Sequence, residues 1–350
     1  MVKRKIASLQ TRPIAASFLF VLSALLLLSG CAKDSVEVSF NGATMGTSYT
    51  VKYVDVDVVD ADKVAANVAE LLVYLDASMS TYQEQSELNR LNAAATGEPF
   101  AVSSAMWQVL LIAQQVYTLT DGAFDPTVGP LVDLWGFGPV DTLDRIPAQK
   151  DIDVLMADVG FDHLTFLPAT QSVQKIRDIR IDLSAIAKGY AVERVGDLLV
   201  DMGVKDFMVE VGGELRLAGL NGAGLPWRIA VEVPSLAHGE IQKVLSVTNV
   251  GLATSGDYRN YFEKDGVRYS HEIDPRTGRP VSHDLVSVTV LVDDATQADA
   301  LATGFMVMGQ QATLALAERN KVAVFMLTRK SGGFAESSSS AFAPYLKEVR

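Results

Sequence analysis

Cysteine is nearly absent from this chain: Cys31 is the single thiol in 350 residues. No internal disulfide can form, so the fold must rest on a packed core. Histidine is sparse too, and His163, His238, His271 and His283 stand far apart with no second thiol among them. Zinc spacing is therefore missing, and any metal here is a hard cation held by oxygen. The chain also lacks Gly-x-x-x-x-Gly-Lys-Ser/Thr, a helix-opening Gly-x-Gly-x-x-Gly and Gly-x-Ser-x-Gly. The common phosphate loops and the nucleophile elbow are thus unsupported. Positive charge is in the minority, with 30 Lys and Arg against 42 Asp and Glu for a net charge of −12. Such a balance excludes nucleic acid as a partner, because duplex binding draws on clustered cationic side chains. A nucleotide remains possible through backbone amides and a metal, which need no basic patch.

At the N-terminus Lys3, Arg4 and Lys5 precede an apolar run from Ile14 to Leu28, which ends in Leu28-Ser29-Gly30-Cys31. The run is short for a membrane span, and small residues before a cysteine mark a lipoprotein signal. Residues 1–30 are expected to be removed, leaving Cys31 as the lipid-attachment site and 31–35 as a tether. The alternative for Cys31 is a buried structural thiol. The lipid reading places the chain in a bacterial envelope, anchored to the inner or outer membrane and facing the periplasm. Ala32, rather than Asp, after the cysteine resembles lipoproteins forwarded to an outer membrane.

Residues 31–350 suffice for one large domain or two small ones, and no linker is sharp enough to divide them. Period-two alternation predicts strands at Val36–Phe40 and about Tyr49–Tyr53, with a turn at Asn41-Gly42. Helical spacing appears from Val64 to Leu75, in a short piece Ser86–Asn92, and from Ser104, as N-cap, to Asp121-Gly122. Residues 129–147 lack periodicity and are expected to form a long surface loop. A helix around Ile152–Val159, a strand Ile179–Leu183 and a helix from Tyr190 to Met202 follow. Strands are then expected at Phe207–Val211, Leu215–Leu217, Trp227–Val233, Val244–Val250, Leu285–Val292 and Val322–Leu327. A helix pair, Ala298–Met308 and Gln311–Arg319, precedes the last strand, and Ser337–Ser340 is expected to be a loop. Irregularly interspersed helices and strands indicate an α+β fold of mixed sheets with packed helices.

Chemistry concentrates in Ser270-His271-Glu272-Ile273-Asp274-Pro275-Arg276-Thr277-Gly278-Arg279-Pro280, where a near-neutral imidazole sits within turn-setting residues. Asp299 and Thr303 are spaced i, i+4, so a carboxylate and a hydroxyl can converge on one cation; a capping Asp with a core-facing Thr fits the same spacing. Asp182 falls at a strand end entering a helix, where free N–H groups attract anions. Gly212-Gly213 and Thr254-Ser255-Gly256 can bring bare amides to a phosphate, or can be plain turns.

The run from Ser270 to Gly278 resembles the signature of the ApbE family of FAD:protein FMN transferases. Thr44-Met45-Gly46-Thr47-Ser48-Tyr49, Gly122-Ala123-Phe124-Asp125-Pro126, Asp182 to Tyr190, Ala253 to Tyr258 and Ala298 to Thr303 match in the family's order. The resemblance implies a single ApbE-like, T-fold-like domain that moves FMN from FAD onto a Thr or Ser hydroxyl of an acceptor protein, releasing AMP with Mg²⁺. It places Mg²⁺ on Asp299, Thr303 and the Ala185 carbonyl, with Ala302 where some members carry a second Asp. Met45, Tyr82, Ala123, Phe124, Asp125, Asp182, Lys188 and Ile273 fall on flavin-contacting positions, and Ser255 and Gly256 in a pocket-lining segment. Met45 and Tyr82 fit a core equally well on spacing, and Asp125 fits a plain turn. His271 becomes the proton-handling residue, with Asp274 and Arg276 shaping its loop. Implied acceptors are flavin-carrying subunits of envelope redox complexes of the Nqr or Rnf type. An FAD pyrophosphatase and a non-catalytic flavin-binding lipoprotein are the alternatives.

Overall fold

The computed structural model describes residues 36–55, 59–138, 146–234, 241–257 and 260–346. Cys31 and the leader and tether expectations lie outside them.

The frame is an eight-stranded antiparallel sheet whose spatial order follows chain order. Its strands are β1 (Val36–Thr44), β2 (Thr47–Asp55), β3 (Phe207–Val211), β4 (Glu214–Ala218), β5 (Val250–Gly256), β6 (Leu285–Val292), β7 (Ala323–Lys330) and β8 (Gly333–Ser338). Helices enter between β2 and β3 and again between β6 and β7, so each half of the sheet reads strand pair, helices, strand pair. The first excursion carries α1 (Ala61–Met79), α2 (Glu87–Ala93), α3 (Ser104–Leu119), α4 (Gly129–Leu134), α5 (Gln149–Met156) and α6 (Ala187–Asp201). The second carries α7 (Ala295–Met308) and α8 (Gln310–Asn320). β6 reads as an almost unbroken apolar run because it is covered on both faces. Helices α1, α3, α6 and α7 build the main core on one face. On the other, the hairpin of Trp227–Glu232 and Ile241–Val247 packs with Phe342 of the C-terminal turn.

Several expectations shift, each for a local reason. The first turn is at Met45-Gly46, both at positive φ (+48° and +72°), and β1 runs through Asn41-Gly42. Gly42 is needed there because a side chain would strike the Tyr49 ring, its cross-strand partner. Residues 129–134 are helical rather than loop: Pro130 suits a first helical turn, and Leu131 and Trp135 are fully buried. Ile179–Leu183 is extended but joins no ladder; the Asn92 side chain instead accepts from Ile181 N and donates to Ile181 O, both at 2.8 Å. The expected strand Val244–Val250 is broken by a turn at Asn249 (φ +51°). Ser337 and Ser338 close edge strand β8. Ser103, not Ser104, caps α3, accepting from Met106 N at 3.1 Å. α7 starts at Ala295 with Asp294 as its cap, which removes the capping alternative for Asp299.

Candidate active site

The site opens where the sheet parts. β4 pairs with β5 from Val250↔Leu217 only as far as Leu252↔Leu215, so beyond that point β5 has no ladder partner on its β4 side among the described residues. Ser255 and Gly256 line a cavity of about 480 Å³ at this gap, with α6 and α7 beneath. The two helices touch at Gly189, where a Cβ would come within 2.4 Å of the Ala295 carbonyl and 2.6 Å of Asp299 Cβ. That contact lets the Gly189 N–H donate to Asp299 Oδ2 at 2.9 Å. Asp299 thus lies one full turn inside α7, buried, with Thr303 a turn further along the same cavity wall. Thr303 Oγ1 is 3.3 Å from Ser255 Oγ.

Opposite, Lys188 reaches across the opening of α6. Its Nζ donates to Ser184 O at 3.2 Å and lies 3.5 Å from Glu214 Oε1. Burial works against the ammonium, but Asp299 and Glu214 outweigh it and hold Lys188 above its ordinary range. Burial likewise pushes the Asp299 and Glu214 carboxyls up, and Lys188 pulls both back. Asp182, also on the wall, accepts from Ser184 N at 2.8 Å and Ser184 Oγ at 2.5 Å, fixing the approach to α6.

The His271 loop forms a second wall. His271 Nδ1 lies 3.0 Å from the Asn260 carbonyl and Nε2 lies 3.5 Å from Glu272 Oε1. Burial raises the Glu272 carboxyl, and the imidazole opposes it. Asp274 clamps Arg276 through Nε at 2.8 Å and Nη2 at 2.9 Å and accepts its amide, making the turn that presents Ile273 to the cavity. Trp135 Nε1 donates to Gly278 O at 2.8 Å, and stacked rings run from Trp135 through Tyr269 and Phe262 to Phe137, whose edge meets His271. A third wall carries Ala123, Phe124 and Asp125. The Asp125 carboxylate is spent on structure, accepting from Thr127 N at 2.8 Å, Thr127 Oγ1 at 2.7 Å and Phe161 N at 3.3 Å. Tyr82, 78% exposed, stands at the rim.

The ApbE family model matches residues 45–326. A FAD:protein FMN transferase of Vibrio cholerae is 46% identical over 95% of this chain and 99% of its own. One of Escherichia coli is 38% identical over 93% and 96%. Among solved structures, the flavin transferase ApbE from Vibrio cholerae superposes with a TM-score of 0.82 at 44% identity, covering 89% of this chain and all of that one. The apo Pseudomonas stutzeri flavinyl transferase ApbE gives 0.83 at 39%, covering 91% and 99%. The chain belongs to the ApbE family.

Two residues expected in the ApbE site do not line the cavity. Met45 is half-buried at the β1–β2 hairpin tip, packed on the core. Ala302 is fully buried within α7 and is not among the residues that line the cavity. For Gly212-Gly213 the structure takes the plain-turn alternative. Gly212 N donates to Ser48 O at 3.1 Å and Gly213 N to Glu210 Oε1 at 2.8 Å, so neither amide is spare for a phosphate. Sequence reasoning missed Glu214 and the aromatic tier; a carboxylate directly after a Gly-Gly turn was the available signal.

Among the described residues no three His, Cys, Asp or Glu side chains cluster as a metal site. The oxygens present still suit a hard cation. Asp299 and Thr303 share one wall with Ala185. The Gly189 N–H is one of the first-turn donors of α6 that find no partner within the helix, and Asp299 accepts it; the helix's own ladder begins at Tyr190 N to Ile186 O, 3.0 Å, so the Ala185 carbonyl lies just before that ladder.

Proposed function

We propose that this chain is a Mg²⁺-dependent FAD:protein FMN transferase that joins FMN to a Thr or Ser hydroxyl of an acceptor flavoprotein and releases AMP. The observation that carries it is the convergence, in one cavity, of Lys188, Asp299 and Thr303 with the His271 loop. FAD is the substrate. A divalent cation on Asp299, Thr303 and the Ala185 carbonyl would neutralise pyrophosphate charge. The acceptor oxygen attacks the FMN phosphorus, the bond to the bridging oxygen breaks, and AMP leaves with that oxygen. A carbonyl only accepts, so the Asn260 contact puts the proton on His271 Nδ1 and leaves Nε2 to receive the acceptor's proton. Glu272 stands beside Nε2 to stabilise the imidazolium. Lys188 offers its ammonium to phosphate oxygens, and Ile273, Ala123 and Phe124 supply apolar surface to the flavin.

The acceptors are placed among flavin-carrying subunits of envelope redox complexes of the Nqr or Rnf type, with Cys31 holding the enzyme to the membrane by lipid on the periplasmic side. The decisive experiment incubates the purified chain with FAD, Mg²⁺ and such a subunit, then weighs the acceptor and measures AMP. Transfer adds the mass of an FMN phosphoester, one AMP per acceptor modified. AMP and free FMN without acceptor modification would make the chain an FAD pyrophosphatase instead. Cys31→Ser should leave the chain outside the membrane fraction's lipid-labelled pool; continued lipid labelling would refute the anchor.

A further inference from the structure

Ala302 has no side-chain oxygen and does not reach the cavity, so the cation site drawn above holds a single carboxylate. A second one faces it. Glu214 opens β4 directly after Gly212-Gly213, which turn at φ +62° and +108°. Its side chain is 7% exposed and lines the same cavity as Asp299 and Thr303. Oε1 is 3.5 Å from Lys188 Nζ, whereas Oε2 is buried with no hydrogen-bond partner. The side chain folds back over the turn: a Cβ on Gly212 would lie 3.5 Å from Oε2 and 3.0 Å from Lys188 Cδ. Glycine at 212 therefore makes room for Lys188 and for Thr47, whose Cγ2 would also lie 3.0 Å from that Cβ, while Oε2 sits beside the turn at ordinary contact distance.

A buried carboxylate oxygen without a partner is costly, and Glu214 Oε2 is such an oxygen. Lys188 is the ammonium that faces both Asp299 and Glu214. A divalent cation in this cavity would satisfy the orphaned oxygen. We propose that Glu214 is a further oxygen ligand of the divalent cation held by Asp299 and Thr303. This rests on the cation site proposed above. A role confined to pairing with Lys188 would not explain why Oε2 is the unpartnered atom.

The test uses Mn²⁺ with the purified full-length chain in detergent, free Mn²⁺ being read by electron paramagnetic resonance without FAD or acceptor. Asp299→Asn should abolish tight binding, and Glu214→Gln should weaken it at least tenfold. Circular dichroism and FAD binding establish that each variant is folded. In protein labelled with ¹³C at glutamate carboxyls, bound Mn²⁺ should show a strong ¹³C hyperfine coupling that Glu214→Gln removes; a contribution through charge alone would produce no such coupling. If Asp299→Asn loses the ion while Glu214→Gln binds within twofold of wild type, or if the coupling is absent, the assignment of Glu214 is overturned and the Asp299 site stands. If Asp299→Asn also binds normally, the cation site itself is misplaced and the Glu214 assignment falls with it.

Discussion

Gly189→Ala tests the junction on which the whole site is built. In an ordinary helix interior this substitution would stabilise by about 1 kcal/mol through helix propensity. Here the new methyl would sit 2.4 Å from the Ala295 carbonyl oxygen and 2.6 Å from Asp299 Cβ, closer than real Cβ contacts come. Both obstacles belong to the opposing helix, so α6 and α7 must separate. Overpacking of this kind costs about 1–3 kcal/mol. Separation also lengthens the Gly189 N–H bond to the Asp299 carboxylate, and a hydrogen bond to a charged group contributes about 1.5–3 kcal/mol. Set against the propensity gain, the net loss should be about 3 kcal/mol. Gly196→Ala is the comparison within the same helix: its methyl would meet the Arg216 side chain rather than the opposing helix, so its cost is that of moving the guanidinium from Glu193 and Asp197. Urea unfolding of both variants with unchanged slopes measures the difference. A Gly189→Ala variant as stable as wild type would refute the close helix contact as the site's foundation.

Asp299→Asn should slow FMN transfer by roughly a hundredfold or more while FAD binding persists, and raised Mg²⁺ should recover part of the rate; an unchanged rate and Mg²⁺ dependence would remove Asp299 from the cation site. Tyr82→Asn should raise AMP release without acceptor relative to FMN transfer, because the ring at the rim is replaced by a shorter polar group; an unaltered ratio would deny Tyr82 a gating role. Tyr190 is held up to about 12 by burial, and its hydroxyl donates to Gln108 Oε1 at 2.8 Å. A raised phenol stabilises the fold below its unfolded value near 10, and that stability is lost as pH climbs towards 12. Tyr190→Phe should therefore flatten the decline in urea midpoint between pH 10 and 12, and a decline as steep as in wild type would place its cause elsewhere.

The amino-acid sequence by itself determined the elements with strong periodicity. β3 and β6 fall where alternation and the β-branched run place them, and the cores of α1, α3, α6 and α7 follow their apolar spacing. The order of family motifs, the i, i+4 pairing of Asp299 with Thr303 and the His271 loop were equally legible, because each lies within one short stretch of chain. What tertiary structure decided are the relations between stretches. The Asn41-Gly42 pair became strand because the Tyr49 ring covers Gly42, and Ile179–Leu183 found its partner in a side chain, Asn92. No local pattern could reveal that Gly189 lends its amide to Asp299 110 positions later, or that Glu214 shares Lys188 with it. Periodicity records which face of an element is buried, whereas the meeting of two helices and the parting of two strands depend on volumes and charges that only the folded chain brings together.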